Sequence, residues 1–300
     1  MRINRSYAIF TLLCVALIAA AENNNLSVGI KAGTAYYTTD AEAKSQFGPS
    51  LGVTVNYSCL WRIDYTSIQM GLMTGMGAAW SQTGLNMEWN TQYTNTDYLG
   101  RRMQYTLQGT AVQKDRQLQF EVPLMYTFTI SGFRLNVGPQ FMLVLPRSYS
   151  LSLNEMSSRV DFLDYGVTLI DDAISGKLPA DRMTQSGKTL TPTMNLCLSL
   201  QVGYEFFLNE QHALGLMAYL DYGLWNSYSN AKPTNRVVDV APIADSSTEV
   251  PEVTIYDLNT AFVSKVNYLS FGLRFYWNMS WNLNRMRGGH WAPRRGRVLR

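Results

Sequence analysis

Histidine is almost absent from this chain: its 300 residues contain 2, His212 and His290. Many acid–base and nucleophilic sites use an imidazole as proton carrier, so this scarcity narrows the enzymatic options from the start. Cysteine is nearly as rare, with 3 in all. Cys14 falls in an N-terminal leader; Cys59 and Cys197 are expected on strands far apart, as two lone buried thiols rather than a disulfide or metal site. Charge is thin as well, with Asp, Glu, Lys and Arg making up 16% of the chain, where about a quarter is usual in soluble domains. Although 46% of residues are hydrophobic, no uninterrupted apolar run beyond the leader reaches the ~18 residues of a membrane helix. No Cys/His ligand spacing, phosphate-binding glycine loop or nucleic-acid motif is present, so no cofactor, metal or nucleic-acid partner is expected.

What the chain does have is alternation. In 117–145, QLQFEVPLMYTFTISGFRLNVGPQFMLVL, one face carries Leu118, Phe120, Val122, Leu124, Tyr126 and Phe128, and the other Gln119, Glu121, Met125 and Thr127. The pattern resumes after Ser131-Gly132, with Phe133, Leu135 and Val137 set against Arg134 and Asn136. A period of two on either side of a Gly-containing turn is a β-hairpin. Each arm runs about 13 residues; at ~3.3 Å per residue and a tilt near 40° it rises roughly 33 Å, enough to cross an outer-membrane apolar band of about 25 Å.

Similar segments lie at 26–37, 51–61, 67–80, 193–207, 212–225 and 267–277. Eight strands result, joined alternately by loops (38–50, 81–116, 146–192, 226–263) and by short turns (62–66, 131–132, 208–211). The expectation is an all-β fold: a closed antiparallel up-and-down transmembrane β-barrel with long extracellular loops, short periplasmic turns and periplasmic termini. Strand length and loop parity oppose a soluble sandwich or lipocalin-like barrel. A weak alternation from Met103 to Val112 leaves ten strands open. In the third loop, Val160, Leu163, Val167, Ile170 and Ile174 are spaced for one face of a helix, with Ser157 or Ser158 as N-cap.

The ends differ from the middle. Residues 1–21 combine Arg2 and Arg5, an apolar stretch and Ala19-Ala20-Ala21, which reads as a secretory signal peptide. Cys14 follows Leu13, where a lipoprotein signal has a small residue, so lipidation is not expected. The barrel is assigned to 22–278 and a basic tail to 279–300, with Arg285, Arg287, Arg294, Arg295, Arg297 and Arg300. Without the leader and tail arginines, 17 basic residues stand against 22 acidic ones. Placed in the periplasm by parity, the tail is read either as a dock for anionic lipid or an acidic envelope or secretion-system protein, or as a solvated end.

Tyr36, Tyr57, Trp61, Trp80, Tyr126, Tyr204, Tyr222 and Trp277 lie on the apolar face, mostly toward strand ends, as the girdles of a membrane barrel do. The other face carries many glycines and six charges: Lys31, Glu121, Arg134, Glu205, Asp221 and Arg274. The lumen of an eight-stranded barrel is just filled by side chains, and charges buried there must be paired. They read as a paired structural plug or, alternatively, as a gate or proton path.

The last strand, with Ser270, Gly272, Phe275 and Trp277, resembles the polar-x-Gly-x-x-aromatic-x-aromatic signal by which barrel assembly machinery recognises its clients. Here it is followed by the tail instead of ending the chain. GIKAGTAYY, FGPSLGVTV, LQFEVPLMYTF with LNVGPQF, ALGLMAYLDYGL and YLSFGLRFYW together resemble PorT-like outer-membrane β-barrels of Bacteroidetes-type bacteria. The EVPLMYTF…NVGPQF pair, similar to that family's "EIPLLLKY…GP" hairpin, is the most specific part. The resemblance implies a barrel in outer-membrane lipid and, from the namesake, an accessory of type IX protein secretion. It says little about activity.

Enzyme chemistry finds little support. His212 sits at a predicted periplasmic turn and His290 in the tail, while Asp161, Asp164, Asp171 and Asp172 read as a solvated face of the loop helix. The expected role is non-enzymatic, structural or surface-interaction, with a secretion or envelope-assembly accessory and a narrow pore as the alternatives.

Overall fold

The computed structural model describes residues 21, 23–39, 44–63, 66–97, 99–188, 193–225, 228–229, 236–241, 252–258 and 265–281. The leader through residue 20 and the tail from residue 282, with its six arginines and His290, lie outside the described residues.

In chain order the strands begin with β1 (Asn23–Thr39), β2 (Lys44–Gln46), β3 (Gly48–Arg62), β4 (Ile68–Thr96) and β5 (Arg102–Ile130). Next come β6 (Phe133–Val144), β7 (Ser148–Phe162), β8 (Val167–Ile170), β9 (Thr184–Lys188), β10 (Thr193–Phe207) and β11 (His212–Gly223). The chain closes with β12 (Tyr228–Ser229), β13 (Val238–Val240), β14 (Val253–Ile255) and β15 (Lys265–Trp281). β1, β3, β4, β5, β6, β10, β11 and β15 bond successively in an antiparallel ring, which closes where β1 pairs β15 from Asn24↔Trp281 to Thr39↔Val266. The ring has eight strands, as the segment count predicts, and the ten-stranded alternative does not hold. The last strand runs on to Trp281, past the sequence-based boundary at 278.

The two faces separate as the alternation requires. Leu118, Phe120, Val122, Leu124 and Tyr126 point outward and are 41–49% exposed, whereas Gln119, Glu121, Met125 and Thr127 between them are buried. An apolar outer face around a polar, filled interior is the inverse of a soluble protein and suits hydrocarbon outside. Glycines set the inner clearance at two places. Gly33 faces Gly272 across the β1–β15 ladder, and a Cβ on Gly33 would lie 2.6 Å from the Tyr219 hydroxyl; a Cβ on Gly215 would lie inside the Tyr276 ring. Cys59 and Cys197 are free and buried, as expected.

Above the ring the structure departs from the sequence-based reading. The stretch 81–116 is not a loop. β4 and β5 are each 29 residues long and stay paired from Ile68↔Ile130 to Thr96↔Arg102. About half of each strand therefore projects past the barrel, on the order of 50 Å of strand. Leu85, Met87 and Trp89 alternate with polar residues here, and Met103, Tyr105 and Leu107 answer them. The hairpin closes at Asp97, whose carboxylate accepts from the N–H groups of Leu99 (3.0 Å) and Arg101 (2.9 Å), with Gly100 at φ +77°. This is an Asx-type turn.

The third loop holds strands, not the expected helix. β7 pairs the projecting part of β5 from Met103↔Phe162 to Arg116↔Ser148, so Ser157, Ser158 and Val160 are strand residues. A bulge between Gln108 and Thr110, with Glu155 at φ 53°, inserts an extra β7 residue and bends the sheet. β8 and β9 pair along β7 in turn, and Val167 and Ile170 lie on β8. The 3.6-residue spacing from 160 to 174 was accidental, because the turn at Leu163–Gly166 breaks it in the middle. Leu151, Leu153, Met156 and Val160 from β7 join the β4–β5 apolar row in one core, covered by Val237, Val238, Val240 and Leu258. That core reaches Tyr37, Met142, Cys197 and Tyr268 at the barrel mouth. The barrel and its projecting sheet thus share one continuous interior.

Candidate functional site: a plugged lumen beneath a projecting sheet

All six predicted lumen charges point inward and are at most 5% exposed. Their positions follow from parity: each alternates with an outward apolar neighbour, as Lys31 does between Ile30 and Ala32. The pairing is less even than three cations and three anions suggest. Lys31 Nζ donates to both Glu121 oxygens (2.7 and 2.6 Å) and to Asp221 Oδ2 (3.1 Å). Gln119 adds a bond to Glu121 (2.9 Å) and Ser199 one to Asp221 (2.6 Å). Arg134 pairs Glu205 at 2.7 Å and also bonds Ser58 and Asn136, while Tyr276 donates to the same Glu205 oxygen at 2.8 Å.

Arg274 has no carboxylate within ion-pair distance among the described residues. Its guanidinium donates to Gln201 (3.0 Å) and Ser27 (3.3 Å) and lies over the Tyr276 ring, 4.9 Å from the centroid. Lys31 with two acids carries the excess negative charge that balances Arg274, so the six groups sum to neutrality across the lumen. Satisfied in this way, buried charges are tolerable; an unmatched one costs several kcal/mol. A cavity of about 10 Å³ lies between Lys31, Glu121, Gln140 and Arg274, barely enough for one water molecule.

Of the assembly-signal residues, Ser270 and Gly272 face the lumen, while Phe275 and Trp277 face outward, 48% and 42% exposed. His212 also lies at the barrel's outer surface, stacked on Trp277 with ring centroids 5.2 Å apart.

The aspartates of the third loop fasten the projecting sheet instead of lining a helix. Asp161 accepts from Arg159 (2.9 Å) and Thr168, and Asp164 accepts from the Arg102 backbone N–H (2.8 Å). Asp171 accepts from the Ser158 N–H (2.9 Å) and Lys177 (3.2 Å), and Asp172 from the Ile174 N–H (2.9 Å). Among the described residues, no group of three or more His, Cys, Asp or Glu is placed to hold a metal.

Sequence reasoning missed the projecting sheet as a surface. One side of it faces the shared core, where the Tyr93 hydroxyl accepts from the Val240 N–H at 2.6 Å and Gln113 accepts from the Leu258 N–H at 2.7 Å. The Arg236 guanidinium stacks 4.4 Å from the Tyr93 centroid. On the other side, Asn90↔Gln108↔Ser157 and Gln92↔Thr106↔Arg159 align as cross-strand rows of amides, hydroxyls and sparse charge. The period-two spacing of Leu85, Met87 and Trp89 was the available signal.

Among solved structures, the chain is similar to Neisserial surface protein A (10% identity, covering 85% of this chain and 96% of that one, TM-score 0.27). It is also similar to Ail, the attachment invasion locus protein of Yersinia pestis (9%, 85% and 99%, TM-score 0.26). A third is the outer membrane protease OmpT from Escherichia coli (8%, 88% and 97%, TM-score 0.29). Comparison with curated proteins gives no match. The family profile described as outer membrane protein beta-barrel domain matches residues 19–229, more than half of the sequence, so this chain belongs to that family and is a protein of the outer membrane.

Proposed function

We propose that this protein is a non-enzymatic barrel that holds a stiff polar sheet at the cell surface for contact with partners. The observation that carries this reading is the continuity of β4 and β5, 29 residues each, from the barrel wall into a sheet with its own core. Such a sheet presents its outer face at a fixed angle and height, which suits recognition. The neutral, packed lumen supports a plug over a pore or proton path. In this reading residues 1–21 are a signal peptide, the projecting sheet is extracellular, and the arginine-rich tail is periplasmic.

The test compares cells displaying the wild type with cells displaying Thr106→Glu/Gln108→Glu for adhesion to immobilised glycans and matrix proteins. Both positions are on the outer face, away from the shared core. Reduced adhesion at equal surface abundance supports the proposal; wild-type cells adhering no better than cells without the protein would defeat it.

A secretion-accessory role rests on a separate observation, the EVPLMYTF…NVGPQF motif, which forms the β5–β6 hairpin of the barrel wall. Unchanged extracellular secretion in a deletion strain would remove it.

A further inference from the structure

Where the projecting sheet leaves the barrel, its outer face turns abruptly from apolar to basic. Trp80 and Leu118 sit opposite each other and outward, 36% and 41% exposed, as an upper row of the apolar band. Phe47 extends that row, exposed and stacked on Tyr36 at 4.6 Å. Two residues up β5 is Arg116, whose β7 partner Ser148 pairs in turn with Lys188 of β9. Lys114 stands a further two residues up, and Lys44 on β2 pairs Asn86 of β4, beside the same face. Cross-strand partners share a face, so these four cations look out on the same side as the apolar band. All four are exposed, and none makes an ion pair among the described residues.

The contrast with the rest of the sheet is sharp. At its far end each exposed arginine has its own acid: Arg102 with Asp164 (3.3 Å) and Arg159 with Asp161 (2.9 Å). Arg116 lies about 7 Å and Lys114 about 13 Å beyond Leu118 along the strand, at headgroup height above the hydrocarbon. Clustered cations at this depth are attracted to anionic headgroups.

We propose that Lys114, Arg116 and Lys188, flanked by Lys44, form a shelf that binds the phosphate groups of membrane lipid; in the orientation proposed above this is the phosphorylated glycolipid of the outer leaflet. The occupant is fixed by charge complementarity and by continuity with the apolar band, because acyl chains lying on Trp80 and Leu118 bring their headgroups to these side chains. The shelf anchors the base of the projecting sheet against the membrane and holds it upright.

The test uses the full-length chain purified in detergent micelles, with retained lipid measured by native mass spectrometry. The probes are lipid A and its dephosphorylated form. Lys114→Gln/Arg116→Gln/Lys188→Gln changes only exposed side chains, and heat-modifiable gel migration checks that its barrel is folded. Arg102→Gln/Arg159→Gln is the control for charge removal elsewhere. The expected result is a loss on the order of a hundredfold in lipid A affinity for the triple variant, about fivefold per charge, against wild-type affinity for the control. Wild-type binding to dephosphorylated lipid A should match that of the triple variant. Equal retention of lipid A by the folded triple variant, or equal binding of both lipids by the wild type, would overturn the proposal. Only the identity of the leaflet rests on the proposed orientation. A micelle titration does not depend on it, so failure of the orientation and failure of the shelf are separate results.

Discussion

Gly215 of β11 and Tyr276 of β15 are cross-strand partners, and the tyrosine ring fills the space that a Cβ on the glycine would need. The ring is held there by its hydroxyl bond to Glu205 and by the Arg274 guanidinium over its face. Gly215→Ala therefore displaces the ring that supports both arginines of the lumen. We expect a loss of about 1–3 kcal/mol, the range for overpacking a filled interior. Urea unfolding followed by heat-modifiable migration measures it, and a variant as stable as the wild type would show that the ring has room to move.

Among the described residues, Lys31 is the sole ion-pair partner of two buried acids, Glu121 and Asp221. Lys31→Met strands both and should cost about 3–5 kcal/mol. Lys31→Met/Asp221→Asn removes one stranded charge, leaves Glu121 to balance Arg274, and should recover a good part of that loss. If the double variant is the less stable of the two, the cluster does not work as a compensating charge group.

Trp89 is 4% exposed in the core of the projecting sheet, far along β4 from the ring. Trp89→Ala should lower the sheet's local stability by about 3–5 kcal/mol and leave the barrel intact. Limited proteolysis should then cut within 84–112 while the remaining barrel still shows heat-modifiable migration. Loss of both together would mean that the two parts unfold as one unit.

Most of the barrel was legible in the sequence because a strand between lipid and lumen alternates strictly, and the glycines and charges fall on one parity. The projecting sheet was harder to read. Its apolar rows are interrupted by Thr91 and Gln113, both buried, and its outer face carries Gln, Asn and Thr where membrane strands carry Leu and Val. Composition therefore suggested a loop while spacing still encoded a strand. The helix at 157–174 failed for the opposite reason: β7, a turn and β8 happened to place apolar residues at helical intervals. The six lumen charges were legible individually. Their partners were not, since which acid meets Lys31 depends on how β1, β5 and β11 face one another across the barrel.

Acid should loosen the projecting sheet. Burial would raise the Asp97 pKa, but hydrogen bonds from the Arg101 side chain and from the Arg101 and Leu99 N–H groups outweigh it and hold it low. Asp161 is lowered by hydrogen bonds from Arg159 and Thr168, and Asp171 by the Ser158 N–H and then Lys177. A carboxyl with a depressed folded pKa contributes stability that is complete above its unfolded value, about 3.9, and is lost as pH falls through the folded value. Hydrogen exchange should find β7, β8 and the 97–102 turn equally protected at pH 7 and 5, and less protected below about pH 4. Unchanged protection at low pH would mean that these carboxylates hold nothing in place.

The proposed function requires the projecting sheet to stand outside the cell. Cysteine accessibility on intact cells tests it most directly, with single cysteines at Gln108, on the outer face of the sheet, and at Glu210, in the turn at the opposite end of the barrel, in a background lacking Cys59 and Cys197. An impermeant maleimide should label Gln108→Cys and leave Glu210→Cys untouched until the envelope is opened. Labelling of Glu210→Cys but not Gln108→Cys on intact cells would contradict it, turning the sheet inward and ending its reading as a surface for external partners.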